Sequence, residues 1–195
     1  MTALFPLHDT TTAPADSKEL LQRAEKNLGM IPNLERVMAT APALLAGYVE
    51  LWELFDKTSF SLIERQVVYQ TANFENECDY CVPWHTKLSQ LAGADAETID
   101  ALRNGRRLSD PRLEALRQFS QSLIRTKGKI ATADLEGFLA AGWTPQHALE
   151  AILGIAVKTM SNYTNSIAGT PLDNPVKKLA WQKPTIRARS APDAY

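Results

Sequence analysis

The chain has 195 residues, of which 45% are hydrophobic and 22% are charged, and its formal net charge is −1. A chain of this length is expected to form one domain with a sizeable core, and its charge offers no electrostatic basis for binding nucleic acid or an anionic membrane. No apolar stretch reaches the roughly 18 residues of a membrane span, and the N-terminus lacks the features of a signal peptide. We therefore expect a cytoplasmic protein.

After a short irregular start, the first half of the chain carries the start and stop signals of helices. Residues 1–16 predict an N-terminal arm, and Ser17 is the predicted N-cap of a helix that stops at Gly29. The segment PALLAGYVELWELFDK then carries an apolar stripe with helical spacing, and SLIERQVVYQTANF continues in the same manner. These segments predict helices and no strands.

The second half continues the helical pattern up to an irregular end. Helices are predicted from Asp95 to Gly105, from Pro111 to Gly128, and onward from Thr144, the last being apolar on most sides and so central to the bundle. Residues 170–195 are rich in proline and basic, which predicts a tail that is disordered or ordered against a neighbouring subunit, and Trp181 favours docking. The predicted fold is an all-α bundle with a helical domain at 17–169.

The stretch ECDYCVPWH contains both cysteines of the chain and one of its three histidines. Proline is tolerated only in the first turn of a helix, so Pro83 predicts a helix that begins near Asp79 or Tyr80. Cys81 then lies in the first turn, and His85, four residues later, lies on the same helix face.

This placement predicts a reactive thiol. A helix N-terminus favours the thiolate form of Cys81, and His85 can act as its base. Cys78 is spaced to form a disulfide with Cys81. Together the three residues predict a dithiol redox centre.

Three other interpretations of the cysteines remain open. They could be incidental small apolar residues. They could bind zinc together with His85, but a structural zinc usually takes four ligands. The fourth could be His8 or His147 from afar, or a water molecule. A thioredoxin-type CxxC is the third, although that motif follows a strand and this chain has no βαβ pattern.

The stretch ERQVVYQTANFENECDYCVPWHTKLSQLAG resembles the core of the carboxymuconolactone decarboxylase and alkylhydroperoxidase D-like superfamily, in its CxxCxxxH redox branch. The resemblance covers roughly residues 35–173 and implies a helical bundle that assembles as dimers, trimers or hexamers. It implies that Cys81 attacks the peroxide and that Cys78 is its more accessible disulfide partner. His85 would belong to a proton relay, and a lipoylated or thioredoxin-like dithiol protein would supply electrons. No metal or organic cofactor is implied.

The sequence departs from this pattern beside the motif. Gln66 stands where the relay glutamate is expected, and an amide cannot shuttle a proton. Glu75 or Glu77 could serve instead, or both could be ordinary solvated carboxylates. Tyr80, between the cysteines, could orient a peroxide or pack in the bundle. Trp84 could wall the pocket or belong to the core.

Four further residues with amide side chains have less specific predicted roles. Gln70 and Asn73 share a helix face with Gln66 and either line the site or are exposed. Asn162 and Asn165, in the sequence NYTN, are expected to satisfy buried backbone near the end of the last helix.

The sequence thus favours a thiol-dependent peroxidase or a related disulfide oxidoreductase. One alternative is a cofactor-free decarboxylase of the same superfamily, but that chemistry does not need paired thiols. The other alternative is a non-enzymatic oligomer that senses redox state or binds metal through the same cysteines.

Overall fold

The computed structural model describes residues 4–184, and within them the chain folds into nine α-helices and one 3₁₀-helix with no strand. The α-helices are α1 (Ala15–Leu28), α2 (Asn33–Met38), α3 (Pro42–Asp56), α4 (Leu62–Glu75), α5 (Cys81–Leu91), α6 (Ala96–Arg103), α7 (Pro111–Thr126), α8 (Thr132–Ala140) and α9 (Pro145–Ala168). The 3₁₀-helix spans Asn174–Leu179. The predicted all-α bundle is confirmed. None of the helices in this part of the chain is long and apolar enough to span a membrane.

Helix α4 lies at the centre of the bundle, where it packs against α5, α6, α7 and α9. A capping box starts it: Ser61 accepts from the backbone N–H of Glu64, whose carboxylate accepts from the N–H of Ser61. From Val67 to Phe74 all of its residues are buried. The sequence assigned the central place to α9, but α9 keeps an exposed apolar face that includes Leu149 and Ile167.

Gly154 allows α9 to approach α3 and α4 closely. A Cβ at this position would lie 2.6 Å from Phe55 Cζ and 2.9 Å from Val68 Cγ1. We expect Gly154→Ala to lower the free energy of unfolding by about 1–3 kcal/mol, because the ring and the valine must shift in a packed core. Urea unfolding measures this.

Gly137, inside α8, provides the matched control, because a Cβ there meets nothing within 4 Å. Gly137→Ala is expected to raise the free energy of unfolding by about 0.5–1 kcal/mol through helix propensity alone. Equal effects of the two substitutions would contradict the packing argument.

The chain before α1 is packed against the bundle. The guanidinium of Arg36, on α2, donates to the carbonyls of Leu7 and His8. Helix α1 begins at Ala15, two residues before the predicted cap. Ser17 does not cap it, because its hydroxyl is buried and donates to the carbonyl oxygen of Ala39 at 2.9 Å.

The C-terminal tail docks on its own bundle as far as it is described. Trp181 is buried against Phe74 and Val82, and its indole N–H donates to the carbonyl oxygen of Arg103 at 2.8 Å. The docking that was predicted for Trp181 is therefore found within the chain itself. The rest of the predicted tail, 185–195, lies outside the described residues.

Candidate active site

The turn between α4 and α5 places the two thiols. Glu77 adopts the left-handed backbone conformation, with φ of 54°, and the N–H of Cys78 donates to the carbonyl oxygen of Asn73. Helix α5 then begins at Cys81, one residue after the range predicted from Pro83. The backbone N–H of Cys81 donates to Cys78 Sγ at 3.2 Å, so the first free donor of the helix points at a sulfur.

Both thiols are free and buried, with 6% of Cys78 and 2% of Cys81 exposed. Helix α9 supplies the polar groups beside them. Asn165 Nδ2 lies 3.2 Å from Cys81 Sγ and 3.9 Å from Cys78 Sγ, and Ser161 Oγ lies 3.9 Å from Cys81 Sγ. Asn165 was expected to serve the helix end, but it is directed at the sulfurs instead.

His85 lies between two polar side chains that hold its ring. Its Nδ1 lies 2.8 Å from Gln66 Oε1, and because a carbonyl oxygen only accepts, Nδ1 carries the proton. Its Nε2 lies 2.9 Å from Lys158 Nζ and accepts from the ammonium. The imidazole is therefore engaged on both sides, whereas the sequence predicted that it would act on Cys81 directly.

Lys158 is a buried basic residue near the predicted site that the sequence reasoning missed. It lies on α9, is only 1% exposed, and lines the same cavity as Cys81 and His85. The signal was present in the sequence: Lys158, Ser161, Asn162 and Asn165 follow the i, i+3, i+4, i+7 spacing of one helix face. A polar stripe on an otherwise apolar helix therefore faces the motif.

The environment shifts the pKa values of the two thiols in opposite directions. Burial raises the pKa of Cys81, but the hydrogen bond with Cys78, the charge of Lys158 and the amides of Asn162 and Asn165 lower that pKa to about 6. The same hydrogen bond and burial raise the pKa of Cys78 well above its ordinary value. Cys81 is therefore the thiolate of the pair, and Cys78 keeps its proton.

The pKa values of the two neighbouring basic side chains, His85 and Lys158, are both lowered. Burial and the charge of Lys158 lower the pKa of His85 well below its ordinary value, so the imidazole is neutral. Burial also lowers the pKa of Lys158, while the Cys81 thiolate opposes this shift. Of the two basic side chains, Lys158 is the one whose charge lowers the pKa of Cys81.

The other predicted amides of α4 form a buried hydrogen-bonded chain. Gln70 Nε2 donates to the carbonyl oxygen of Val82 at 3.2 Å, and Asn73 Nδ2 donates to Gln70 Oε1 at 3.1 Å. Asn162 Nδ2 in turn donates to Asn73 Oδ1 at 2.9 Å. These contacts join α4, α5 and α9 around the thiols, and Gln66 alone of the three α4 amides contacts a predicted catalytic residue.

The structure places the two candidate relay glutamates elsewhere. Glu75 accepts from Gln121 and from the guanidinium of Arg125, and Glu77 is largely exposed and pairs with Lys183. Neither contacts His85. Because each carboxylate has its own partners on the side of α7 or of the tail, neither replaces the missing relay glutamate.

Tyr80 and Trp84 are held by one buried carboxylate. Asp173 accepts from the hydroxyl of Tyr80, from Trp84 Nε1 at 2.9 Å and from the N–H of Asn33 at 3.1 Å. The hydroxyl of Tyr80 also accepts from the N–H of Leu34. Both aromatic side chains thus anchor the tail to α5, and their outer faces line the cavity beside Cys81.

A cavity of about 340 Å³ opens onto Cys81, His85 and Lys158. Its walls are mainly apolar and aromatic: Leu20, Leu34, Tyr48, Val49, Trp52, Trp84 and Leu88. Glu35 is an acidic group on this wall. Burial raises the pKa of Glu35 to about 7, against the opposing charge of Arg23. Cys78 does not line the cavity, so a ligand reaches Cys81 first.

The three residues of the zinc interpretation do not assemble into a ligand set. Within residues 4–184, no group of three or more histidine, cysteine and acidic side chains is placed to hold a metal ion. The ring nitrogens of His85 are engaged by Gln66 and Lys158. His147, one of the two candidates for a fourth ligand, hydrogen bonds to Thr144 in the capping box of α9.

No model of a protein family matches the sequence, and no curated protein matches it. Several solved structures, by contrast, superpose on this chain. A peroxidase-related protein from Ralstonia eutropha JMP134, described as an alkylhydroperoxidase AhpD core, superposes with a TM-score of 0.78 at 18% identity, covering 88% of this chain and 93% of its own. A peroxidase-related protein from Silicibacter sp. TM1040 gives a TM-score of 0.75 at 19% identity, covering 90% and 93%.

The debrominase Bmp8, solved in complex with 2,3,4-tribromopyrrole, is a third similar structure, with a TM-score of 0.74 at 14% identity. The match covers 91% of this chain and 96% of Bmp8. These likenesses run over almost the whole of each chain. The fold that the CxxCxxxH resemblance implied is confirmed: this chain has the all-α fold of the alkylhydroperoxidase AhpD core.

Proposed function

We propose that the protein is a thiol-dependent peroxidase that reduces an organic hydroperoxide with its own dithiol. The observation that carries the proposal is the asymmetry of the two sulfurs. Cys81 lines the cavity and has its pKa lowered to about 6, whereas Cys78 lies behind it with a raised pKa. A nucleophile and a resolving thiol require this division.

The reaction proceeds in two steps. The Cys81 thiolate attacks the distal peroxide oxygen, which breaks the O–O bond and forms a sulfenic acid and an alkoxide that takes up a proton. Cys78 then attacks the sulfenic sulfur, forming the Cys78–Cys81 disulfide and releasing water. A dithiol, either a lipoylated or a thioredoxin-like protein, reduces the disulfide and completes the cycle.

The aromatic walls of the cavity favour reductive dehalogenation as a second candidate function. Trp52, Tyr48 and Trp84 surround a space at the small end of the range for ligand pockets, and the structurally similar Bmp8 is a debrominase. The same dithiol could remove halogen from a flat aromatic substrate. Release of bromide from 2,3,4-tribromopyrrole, with one disulfide formed per bromide, separates this reaction from peroxide reduction.

A thiol count on the reduced protein tests the proposal. One equivalent of cumene hydroperoxide should remove both thiols together and lower the mass by two hydrogens, and an added dithiol should restore them and sustain turnover. A non-enzymatic sensor would react once and show no turnover with the dithiol. A decarboxylase would leave both thiols unchanged, and either result would overturn the proposal.

A further inference from the structure

Lys158 has an unusual environment for a lysine. Its side chain is fully enclosed, with Nζ 2.9 Å from His85 Nε2 and 5.4 and 5.8 Å from the ring centroids of Tyr69 and Trp52. A buried ammonium is costly unless an anion or strong acceptors compensate it. The group that compensates Lys158 therefore indicates what the lysine does.

The acidic side chains nearby do not provide that compensation. Within residues 4–184, no carboxylate forms an ion pair with Lys158. Glu53 and Asp56, which line the same cavity from α3, pair with Arg23 and Arg65. Glu35 lines it from α2 and is half neutral near pH 7.

The thiolate of Cys81 is the remaining anion of the cluster. It lines the same cavity as Lys158, which shares a helix face with Ser161 and Asn165, whose polar atoms lie 3.9 and 3.2 Å from Cys81 Sγ. The charge of the thiolate opposes the effect of burial on the pKa of the lysine. Cys78 also faces this cluster but keeps its proton, and His85 is neutral and only accepts from Nζ. Cys81 is thus the anionic partner that this cavity offers to Lys158.

We infer that Lys158 is a catalytic residue of this site, the counter-ion of the Cys81 thiolate and the acid that protonates the leaving oxygen, while Gln66 and His85 position it. Only the second role, in which Lys158 protonates the leaving oxygen, rests on the proposed peroxidase function. Gln66 holds the proton of His85 on Nδ1, which leaves the lone pair of Nε2 to accept from Lys158 and so fixes the position of Nζ.

The protons balance with this assignment. The thiolate of Cys81 takes the distal oxygen of ROOH, and the alkoxide takes a proton from Lys158, giving Cys81–SOH, ROH and a neutral amine. The amine accepts the proton of Cys78 as that thiol attacks, and returns it to the departing hydroxide, which leaves as water. Reduction of the disulfide by the external dithiol restores one thiol, one thiolate and the ammonium.

The test measures the acidity of Cys81 without any peroxide. In a Cys78→Ser background, which keeps a hydroxyl donor beside Cys81, the rate of alkylation by iodoacetamide is followed against pH. Lys158→Met should lower the rate at pH 7 about 10-fold, because the thiolate loses its counter-ion. Lys158→Gln, which keeps an N–H for His85 Nε2 but no charge, should show the same loss if the Met variant does not fold.

His85→Asn is the matched comparison and should lower the same rate by less than about threefold, since the imidazole carries no charge. The inference is overturned if a Lys158 variant keeps the midpoint of its alkylation-rate profile near pH 6. It is also overturned if His85→Asn lowers the alkylation rate as much as Lys158→Met does.

The acid role of Lys158 has a separate readout. The rate constant of single-turnover oxidation by cumene hydroperoxide, divided by the fraction of Cys81 present as thiolate, should remain lower in Lys158→Met. Failure of the peroxidase assay on the unmodified chain would leave the alkylation result intact, so the two failures are distinguishable.

Discussion

Cys81→Ser is expected to lower hydroperoxide turnover by about 1,000-fold or more, and Cys78→Ser by a similar factor for a different reason. Removing Cys81 removes the nucleophile that lines the cavity. Removing Cys78 leaves the nucleophile but prevents the disulfide that a dithiol donor reduces. Steady-state consumption of cumene hydroperoxide with a dithiol donor measures both losses.

The two variants act as controls for each other because the chain has no third cysteine. Cys78→Ser should still consume one equivalent of hydroperoxide per chain, and dimedone should trap the resulting sulfenic acid on Cys81. Cys81→Ser should consume none in the same time. If dimedone instead trapped a sulfenic acid on Cys78 in the Cys81→Ser variant, the roles assigned to the two cysteines would be reversed.

Glu35→Gln is expected to raise the free energy of unfolding by about 3 kcal/mol at pH 8 and by under about 1 kcal/mol at pH 5. Burial raises the pKa of Glu35 from 4.5 to about 7. The unfolded chain therefore ionises at this residue before the folded protein does, and stability is lost as the pH rises from 4.5 through 7. An amide of similar shape removes that loss. Urea unfolding at the two pH values measures the difference.

Glu19→Gln is the matched control, because Glu19 is exposed on α1 and its replacement should change the free energy of unfolding by less than about 0.5 kcal/mol at either pH. A stabilisation by Glu35→Gln that is equal at pH 5 and pH 8 would mean that the wall of the cavity does not hold a carboxyl of raised pKa. The pH dependence, rather than the stabilisation itself, is the diagnostic result.

The local features of the site could be predicted from the sequence because each depends on neighbours along the chain. Pro83 restricts the start of α5, and the spacing of Cys78, Cys81 and His85 places them around one helix terminus. The apolar periodicity predicts the helices in the same way. These features depend on interactions among residues that are close together in the sequence.

The place of Lys158 near Cys81 could not be predicted in that way. Lys158 is 77 residues from Cys81 in the sequence, and both line one cavity because α9 and α5 both pack around α4. The same applies to Asn165 beside the sulfurs and to Asp173, which holds Tyr80 and Trp84 from the tail. Gly154 shows how such contacts arise, since α9 approaches only where a side chain is absent.

The sequence by itself determined the all-α class and the place of Cys78, Cys81 and His85 around one helix terminus, because backbone propensity, proline geometry and residue spacing are local. Only the tertiary structure decided which polar side chains surround the two thiols. That choice depends on burial and on distances between helices that are remote in sequence, and these shift the pKa of Cys81, His85 and Lys158 together.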